Sequence, residues 1–423
     1  MRIYINQPRA TWIELLKRPA LDNSALREQV GLILNAVKLN GDLAIKQYTK
    51  QFDGVAIENN QVLYSEIENA SKQISNELKE AIQLAAKNIS SFHEKQIATP
   101  EIIETMPGIT CWRKSVGIEK VGLYIPGGSA PLFSTILMLG IPASIAGCKE
   151  IVLCSPPDKN GQLHPAILYT AQLVGIKKIY KVGGVQAIAA MAFGTETIPQ
   201  VNKIFGPGNQ YVTAAKQIIQ QEGVAIDMPA GPSEVCVLAD DSAEPAFVAA
   251  DLLSQAEHGS DSQVLLISNS IALVEKVNIE LEKQLEALPR KEMATKALLN
   301  SKAIVVSEMQ EAIDLVNEYA AEHLIIACTN ASVIADNIIN AGSVFIGNYS
   351  PESVGDYASG TNHTLPTNGY AKAYSGVSVD SFVKKITFQE LSKQGLDNIA
   401  GAVELMAEAE GLQAHANAVR IRR

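Results

Sequence analysis

Residues 150–347 alternate short apolar runs rich in β-branched residues with longer amphipathic segments, and this alternation restricts the fold more than any other feature. Strands joined by helices of about ten to twenty residues pair in parallel, because parallel neighbours need a crossover connection. Segment 164–175, for example, has Pro165 in its first turn and Gly175 just past its end, as helix boundaries favour. The sequence therefore predicts an α/β fold with mostly parallel sheets. Its predicted strands are 151–155, 178–184, 203–208, 234–240, 263–268, 303–307, 323–329 and 343–347.

The length of the chain and two clusters of glycine and proline suggest how it divides. A chain of 423 residues exceeds one ordinary core and suggests roughly two or three domains. The clusters at 121–131 and 227–234 enclose one α/β unit, so the segments on either side are expected to build a second unit together. The expected division is a helical arm at 1–30, one α/β domain at 31–120 and 234–368, another at 121–233, and a tail at 369–423.

Helical segments are expected at both ends of the chain. Residues 15–50 and 60–94 are polar-rich with helical composition, so the N-terminal quarter is predicted to be helical. Residues 385–423 also have helical composition, with no apparent strand partner. A tail without a core of its own is expected to pack on something else, and a second subunit is the simplest candidate.

Charge and hydropathy exclude several classes of partner. The net charge of −10 argues against nucleic acid, because binding a phosphate backbone requires a basic face. Residues 121–148 carry no charge, but Pro126, Pro131 and Pro142 interrupt them, which indicates a buried loop and a core helix rather than a membrane span. The N-terminus has charges and Pro8 where a secretory signal needs an apolar stretch, so a cytoplasmic protein is expected.

The five cysteines predict neither a dithiol redox centre nor a zinc knuckle, because no C-x-x-C pair occurs among them. With an odd count and no secretory signal, reduced thiols are expected. Cys236 and Cys328 lie in predicted apolar strands, where buried thiols are inert. We interpret all five as structural.

The stretch DLLSQAEHG, residues 251–259, places Gln255 and His258 three apart near the expected end of a helix. Residues at this spacing share one helix face, so an amide oxygen and an imidazole project together. A single histidine near a helix end is more often a cap or a surface residue than a ligand. From these residues alone, a metal site and a structural role both stay open.

Two further stretches suggest chemistry. Glu322 and His323 stand where a helix gives way to an apolar strand, which suits either a helix-dipole contact or an acid and base pair. Asp356 lies with His363 in the polar segment 355–367, and such segments are typical of turns but also of divalent metal sites. Both interpretations stay open for each stretch.

The tail carries a last polar pair, Glu410 and His415, five residues apart. Because the tail has little core of its own, solvent exposure is the simpler interpretation for this histidine. A functional role for the pair requires partner residues from elsewhere in the chain or from another subunit.

Two glycine loops suggest anion binding. Segments 181–194 and 204–216 each follow a strand and open a helix, where backbone N–H groups bind phosphate or carboxylate. Neither fits a dinucleotide fingerprint, since Gly206-x-Gly208 is followed by Tyr211 where a third glycine or alanine belongs. No G-x-x-x-x-G-K-[ST] loop occurs either. The loops alone indicate an anion of unspecified kind.

Taken together, these stretches resemble the histidinol dehydrogenase family over nearly the whole chain. The resemblance implies a pair of incomplete Rossmann-like domains and a four-electron oxidation, in which L-histidinol, two NAD and water give L-histidine through an aldehyde kept on the enzyme. It is carried by VGLYIPGG, GPGNQYVTAAK, IDMPAGPSE, LLSQAEHG, EHL, GDYASGTNHTLPT and YSGVSVDSF.

The resemblance also implies a metal site shared by two subunits. One zinc per subunit is expected, with His415 supplied by the tail of the partner in an obligate homodimer. This expectation gives a physical purpose to a tail that has no core. The zinc ligands implied are Gln255, His258, Asp356 and His415.

Roles for further residues follow from the same resemblance. His323 matches the general base that takes the hydroxyl proton, and Glu322 matches the residue that activates water. Tyr124, Gln186 and Asn209 match the NAD-binding positions and lie near or within the glycine-rich segments. The implied substrate contacts are Ser233, Gln255, His258, His323, Asp356, Glu410 and His415, with Glu410 expected from across the dimer.

Three alternatives are weighed against this expectation. A zinc hydrolase would use Glu322 and His323 to activate water without NAD, but it leaves the anion loops unexplained. A two-lobed binding protein without chemistry needs only the two α/β units, but such proteins are usually exported. A relative that acts on another amino alcohol shares the same motifs.

Overall fold

The computed structural model describes residues 1–18, 24–127 and 131–423 and builds them around three sheets. Residues 19–23 of the predicted arm and 128–130 of the first glycine cluster lie outside the described residues. The strands are β1 (Arg2–Ile5), β2 (Ile102–Met106), β3 (Ile109–Gly117), β4 (Lys120–Tyr124), β5 (Glu150–Ser155), β6 (Lys178–Lys181), β7 (Lys203–Phe205), β8 (Ala225–Ile226), β9 (Glu234–Ala239), β10 (Gln263–Ser268), β11 (Lys302–Val305), β12 (His323–Ala327), β13 (Ser343–Ile346) and β14 (Val383–Leu391).

Helices follow most of the strands, as the alternation in the sequence predicts. The N-terminal quarter is largely helical, and all eight predicted strands are confirmed to within a few residues. The helices are α1 (Trp12–Leu15), α2 (Ser24–Phe52), α3 (Tyr64–Gln73), α4 (Asn76–Glu94), α5 (Phe133–Ile145), α6 (Pro165–Leu173), α7 (Gly184–Phe193), α8 (Gln210–Gln221), α9 (Pro245–Ala256), α10 (Ile271–Glu286), α11 (Lys291–Leu299), α12 (Met309–Tyr319), α13 (Ala331–Ala335), α14 (Glu352–Tyr357), α15 (Lys393–Ala409) and α16 (Gln413–Arg420).

The larger sheet is parallel throughout. It combines one strand from the start of the chain with five strands from residues 234–346. Its strand order is β1-β11-β10-β9-β12-β13, and the central strands β9, β10 and β12 are buried along their whole length. The edge strand β1 comes from the start of the chain and pairs with β11. The sequence does not predict β1, because four residues, most of them exposed, give no clear apolar periodicity.

The second sheet is also parallel and has the order β6-β5-β4-β7-β8. Helix α2 packs on α7 and α8, while α3 packs on α6 and α4 packs on α5. The N-terminal helices therefore cover the sheet built from residues 120–226. This packing differs from the expected grouping of residues 31–120 with 234–368, because the apolar faces of these helices contact the second sheet's helices.

The third sheet corrects the expectation that residues 385–423 are helical without a strand partner. Strand β14 pairs antiparallel with β3 over its nine residues, from Val383 opposite Gly117 to Leu391 opposite Ile109. Lysine, glutamine and glutamate give β14 a helix-like composition, but the long ladder to β3 outweighs local propensity. Nearly all of β14 and all of β2 are exposed, so this sheet has no covered face of its own.

Within the uncharged segment 121–148, residues up to Tyr124 belong to β4, and Phe133–Ile145 form the predicted core helix α5. Every residue from 134 to 143 of α5 is buried, and Pro142 lies inside the helix. Across the described residues, none of the helices combines the length and the apolar character needed to cross a bilayer.

The loop after β7 approaches β4 so closely that only glycine fits at one position. Gly206 has a φ of +125°, and a Cβ at this residue would collide with the carbonyl oxygen of Tyr124. The Gly206 N–H donates to Asp227 Oδ2 at 2.8 Å, and Lys216 Nζ donates to the Gly206 carbonyl at 2.9 Å. The buried ion pair of Lys216 with Asp227 thus fixes this loop on both sides.

We expect Gly206→Ala to lower the free energy of unfolding by about 2–3 kcal/mol, because strain at positive φ adds to a backbone collision. Gly31→Ala is the matched control, since a Cβ at Gly31 in α2 meets nothing within 4 Å. That control should change stability by no more than about 1 kcal/mol, with a gain expected in a helix interior. Urea unfolding measures both values, and equal effects of the two substitutions would contradict the close approach.

Candidate functional site

The predicted acid and base pair lies at the amino end of the larger sheet. His323 is the first residue of β12 and lies opposite Val235 in β9, so Glu234 and Glu322 lie together at the amino ends of these strands. Helix α9 follows β9 and runs back, which brings its C-terminal end to the same end of the sheet. Strand pairing and one crossover helix therefore gather residues that are far apart in sequence.

Gln255 and His258 occupy the end of α9, as predicted from the sequence. Gln255 is buried in the last turn, and His258 lies just past the helix, where its N–H donates to the Gln255 carbonyl at 3.2 Å. With its amide nitrogen turned toward Glu352, Gln255 donates to Glu352 Oε1 at 2.6 Å and accepts from the Glu234 N–H at 3.0 Å. The amide is thus in direct contact with the acidic residues of the site.

Helix α14 supplies two carboxylates, one of which the sequence analysis missed. Glu352 and Asp356 are four residues apart and share a helix face. One atom from each of His258, Glu352 and Asp356 lies within 4.8 Å of the others, a spacing that holds a metal ion. The available signal for Glu352 was its position one helical turn before Asp356, which is visible only once residues 352–357 are read as a helix.

The polar atoms of this cluster fit a cation. Among the described residues, Glu352 Oε2, Asp356 Oδ1 and His323 Nε2 are buried without a hydrogen-bond partner. Buried carboxylate oxygens without partners are costly, and a positive charge removes that cost. The imidazole nitrogen of His258 and the carboxylate oxygens of Glu352 and Asp356 are donors that zinc accepts. The residues present therefore suit the implied metal.

Burial and mutual repulsion govern the protonation of the acids. Burial raises the pKa of Glu352, His323 opposes this shift, and the neighbouring carboxylates of Asp356 and Glu322 add to it, so that the pKa is about 8. Burial also works to raise the pKa of Asp356, but the interaction with His323 outweighs it and lowers that pKa. One acid thus favours a proton while the other stays ionised, as expected for carboxylates that share a site.

The predicted acid and base pair is buried and contacts the main chain of Glu234. The Glu234 N–H donates to Glu322 Oε2 at 2.9 Å, and His323 Nδ1 lies 3.3 Å from the Glu234 carbonyl oxygen. His323 Nε2 lies 3.4 Å from Asp356 Oδ1. Burial raises the pKa of Glu322 to about 8. Burial works to lower the pKa of His323, but the carboxylates of Glu322, Glu352 and Asp356 outweigh it and raise that pKa to about 10.

His363 supports the site without joining the cluster. Its Nδ1 lies 2.8 Å from the Asp356 carbonyl oxygen, and its Nε2 lies 3.1 Å from Thr135 Oγ1 at the start of α5. His258, by contrast, lies on the surface past the end of α9, and desolvation by its neighbours lowers its pKa. A neutral imidazole is the form that binds a metal.

The structure does not bring every predicted site residue to the cluster. Ser233 directly precedes β9 and lies at the same end of the sheet as the cluster. Glu410 and His415 are exposed on the tail, and neither side chain forms a hydrogen bond or ion pair with the described residues of the cluster. A single chain therefore presents the site without its two predicted tail residues.

A separate cavity of about 1120 Å³ gathers the three predicted NAD-binding residues. The Tyr124 hydroxyl accepts from the Gly184 N–H at 3.0 Å, and Asn209 caps α8 by accepting from the N–H groups of Tyr211 and Val212 at 3.1 Å. The cavity lies against the N-termini of α7 and α8, where backbone N–H groups favour anions. Tyr124, Gln186 and Asn209 all line it.

His93 anchors the loop that carries the site. It is fully buried at the end of α4, and its Nε2 lies 3.4 Å from Asn362 Nδ2. Asn362 also donates to the Met138 carbonyl at 2.5 Å, so the residue before His363 is fixed to α5. Burial lowers the pKa of His93 to about 4. The neutral ring accepts from Asn362, whereas protonation would place two donors against each other.

The chain matches one known protein family over nearly its whole length. A sequence profile described as histidinol dehydrogenase matches residues 16–423. Histidinol dehydrogenase of Bacteroides thetaiotaomicron is 62% identical over 411 residues, which cover 97% of this chain and 96% of the relative. Histidinol dehydrogenase of Escherichia coli is 51% identical over 412 residues, which cover 97% of this chain and 94% of the relative.

Solved structures give the same result for the fold. The crystal structure of histidinol dehydrogenase from Elizabethkingia anophelis superposes with a TM-score of 0.98 at 57% identity, covering 100% of this chain and 98% of that chain. An acetylating aldehyde dehydrogenase from Geobacillus thermoglucosidasius has a TM-score of 0.50 at 16% identity, covering 90% of this chain and 94% of that chain. At this identity the second likeness concerns the fold alone.

We expect acid to destabilise the protein through His93. The folded chain holds this pKa near 4 against 6.5 in the unfolded chain, so the unfolded chain binds the extra proton between these values. The contribution of neutral His93 to the free energy of unfolding is therefore fully present above pH 6.5 and is lost as the pH drops toward 4. Urea unfolding at pH 7 and pH 5 measures the loss. Between these pH values the free energy of unfolding should fall by about 1–2 kcal/mol less in His93→Gln than in the unsubstituted protein. Equal losses in both proteins would refute this assignment.

Proposed function

We propose that this chain, which belongs to the histidinol dehydrogenase family, oxidises L-histidinol to L-histidine in a zinc-dependent reaction. Two NAD molecules act in succession, and L-histidinaldehyde stays bound between the two steps. Family membership supports the substrate and the overall oxidation. The observation that carries the proposal is the convergence of His258, Glu352 and Asp356, three potential metal ligands, beside the buried pair Glu322 and His323.

We assign one zinc per subunit to Gln255, His258 and Asp356, with His415 of a second subunit as the fourth ligand. The chemistry that zinc supplies when bound is a positive charge that offsets the buried carboxylates and fixes donor atoms of the substrate. Glu352 lies within the same group and faces it with an unpartnered oxygen, Oε2. This carboxylate supports the site by compensating a cation's charge from the side of α14.

His323 is suited to take the substrate's hydroxyl proton at Nε2. Against the effect of burial, the surrounding carboxylates raise the pKa of His323, and a bound cation would offset their charge and favour the neutral ring. In that neutral ring Nδ1, which faces the Glu234 carbonyl oxygen, carries the hydrogen and Nε2 keeps the free lone pair. Nε2 is buried, lacks a hydrogen-bond partner and points toward Asp356. A base held in this tautomer accepts the proton without first rearranging, which is what general base catalysis requires.

Glu322 is suited to activate the water that adds to the aldehyde. Its Oε2 accepts from the Glu234 N–H, which orients the carboxyl group toward His323. The group is buried, and burial raises its pKa to about 8, so its ionised form is a stronger base than a solvent-exposed carboxylate. Hydrating the aldehyde in this way needs no thiol, and burial raises the pKa of Cys148 to about 11 and of Cys328 to about 12.

We assign NAD to the cavity lined by Tyr124, Gln186 and Asn209. NAD supplies the acceptor for one hydride in each of the two oxidation steps. The helix N-termini at Gly184 and Asn209 suit its phosphates, although the loops lack the usual glycine fingerprint. Pro131 lines the cavity, and Thr135, four residues later, contacts His363, so the start of α5 joins the cavity to the zinc site.

We propose a homodimer in which Glu410 and His415 complete the site of the partner. The tail helices α15 and α16 hold each other through ion pairs of Arg420 with Glu404 and Glu408. They leave Leu405 70% exposed and Ile421 71% exposed, which suits a surface that a second copy covers. We place this dimer in the cytoplasm, in keeping with five thiols that form no disulfide.

We expect the purified protein to form about two NADH for each L-histidine made from L-histidinol, and a strong chelator to abolish this activity until zinc is restored. Absorbance at the NADH band and amino-acid analysis measure the two products. Full activity after complete zinc removal would rule out the proposed metal role.

Zinc content tests the ligand assignment separately. His258→Ala should lower zinc affinity by at least about 100-fold, whereas His164→Ala, a histidine at the start of α6, should retain zinc. Zinc bound equally by both variants would contradict the role of His258.

A mixed-dimer experiment tests the contribution of the tail. A His415→Ala subunit combined with a subunit carrying Glu322→Gln and His323→Gln should recover about a quarter of full activity, because half of the dimers are mixed and each has one intact site. As a matched control, His415→Ala combined with Glu410→Ala should recover nothing, since both defects lie in the tail. Confirmed mixed dimers without recovery would show that the site is completed within one subunit.

A further inference from the structure

We propose that Arg18 is a positioning residue for the oxidation, acting through Glu234 on Glu322 and His323. The inference rests on the proposed function, because it assigns Arg18 to the same two reacting side chains. Arg18 lies outside the metal cluster and outside the cavity, and none of the sequence motifs discussed above includes it.

The main chain of Glu234 contacts both members of the catalytic pair. Its N–H donates to Glu322 Oε2 at 2.9 Å, and its carbonyl oxygen lies 3.3 Å from His323 Nδ1. These contacts orient the Glu322 carboxyl group and select the tautomer of His323. The peptide groups on either side of Glu234 Cα therefore determine the geometry of the acid and base pair.

The side chain of Glu234 is fixed in turn by Arg18. Arg18 Nε and Nη2 donate to the two carboxylate oxygens at 2.5 and 2.9 Å, and the Asn368 N–H donates to Oε1 at 2.9 Å. The Glu234 side chain is only 3% exposed and that of Arg18 is 17% exposed, so solvent does not replace these bonds. A buried two-bond pair of this kind fixes orientation as well as position.

Arg18 also holds the segment that leads into Glu322. Its Nη2 donates to the Tyr319 carbonyl at 2.7 Å, and its guanidinium carbon lies 4.0 Å from the centre of the Tyr319 ring. Tyr319 ends α12, and Ala320 then takes a φ of +53° before the chain reaches Glu322. One side chain thus joins the start of β9 to the turn before β12.

The charge of Arg18 matters for the same site. Glu322, Glu352 and Asp356 already place three carboxylates around His323. Glu234 would add a fourth buried negative charge at this edge, and Arg18 neutralises it locally. Lysine keeps the charge but lacks the planar two-donor geometry, so the two contributions are separable by substitution.

The test compares Arg18→Lys and Arg18→Gln with the unsubstituted dimer, with kcat expressed per zinc-loaded site. We expect kcat for L-histidinol and for L-histidinaldehyde to fall about 10-fold in Arg18→Lys and further in Arg18→Gln, while both KM values stay within about twofold. Arg18 touches neither substrate nor cofactor in this arrangement, so a loss confined to kcat reports the placement of Glu322 and His323.

Glu66→Gln is the matched control, because Lys181 and Glu66 form a similarly buried ion pair at 2.6 Å beside the second sheet. It should leave kcat per zinc-loaded site unchanged. Unchanged kcat in Arg18→Lys, or parallel losses of kcat, KM and thermal midpoint that Glu66→Gln reproduces, would overturn the positioning role. Should Arg18→Lys fail to fold, Glu234→Gln is measured in the same way, because it keeps the side-chain shape and weakens the same pair.

The wild-type reaction separates this inference from the proposed function. A wild-type protein that does not oxidise L-histidinol overturns the proposed function itself. A wild-type protein that does so, together with an Arg18→Lys variant of equal kcat, overturns only the role of Arg18.

Discussion

Parallel pairing of β9 with β12 is the interaction on which the rest of the site depends. It places the main chain of Glu234 beside Glu322 and His323, so that a peptide N–H and a peptide C=O serve as fixed partners for these two side chains. Both strands are fully buried in the centre of their sheet, which makes these partners rigid. Ligands in open α/β sheets usually bind at the carboxyl ends of the strands. Here the acid and base pair lies at the amino ends, where the last turn of α9 brings Gln255.

An excess of buried negative charge is the second property of this site. Three carboxylates surround one imidazole, and burial together with mutual repulsion raises the pKa values of Glu322 and Glu352 to about 8. Such an arrangement is stable only with protons or with a metal ion to compensate it. The unpartnered oxygens Glu352 Oε2 and Asp356 Oδ1 are compatible with the metal ion that we propose. Family membership also decides between the functional alternatives, because an oxidoreductase family disfavours both a hydrolase and a binding protein without chemistry.

Sequence patterns predicted the strands and the position of the helix that ends near Gln255, because apolar periodicity and helix boundary residues are local signals. They also singled out the polar residues that lie together at the amino ends of β9 and β12, although only the family resemblance linked these residues to one another. Glu352 was missed because its role depends on a six-residue helix too short to show periodicity. Strand β14 was misassigned because its composition suits a helix and its partner β3 lies more than 260 residues earlier. Arg18 was missed because an ion pair across 216 residues leaves no local pattern.

The edge strand β1 has a consequence for how the chain reaches this structure. Arg2 pairs with Lys302, so β1 finds its neighbour only after about 300 further residues have been made. Contacts this distant in sequence slow folding, and until β1 arrives the backbone of β11 stays unpaired along one side. An unpaired strand edge is a template for association with other chains. Pairing with β1 covers this open side of β11 late in synthesis and leaves β1 itself, four residues long, as the edge of the finished sheet.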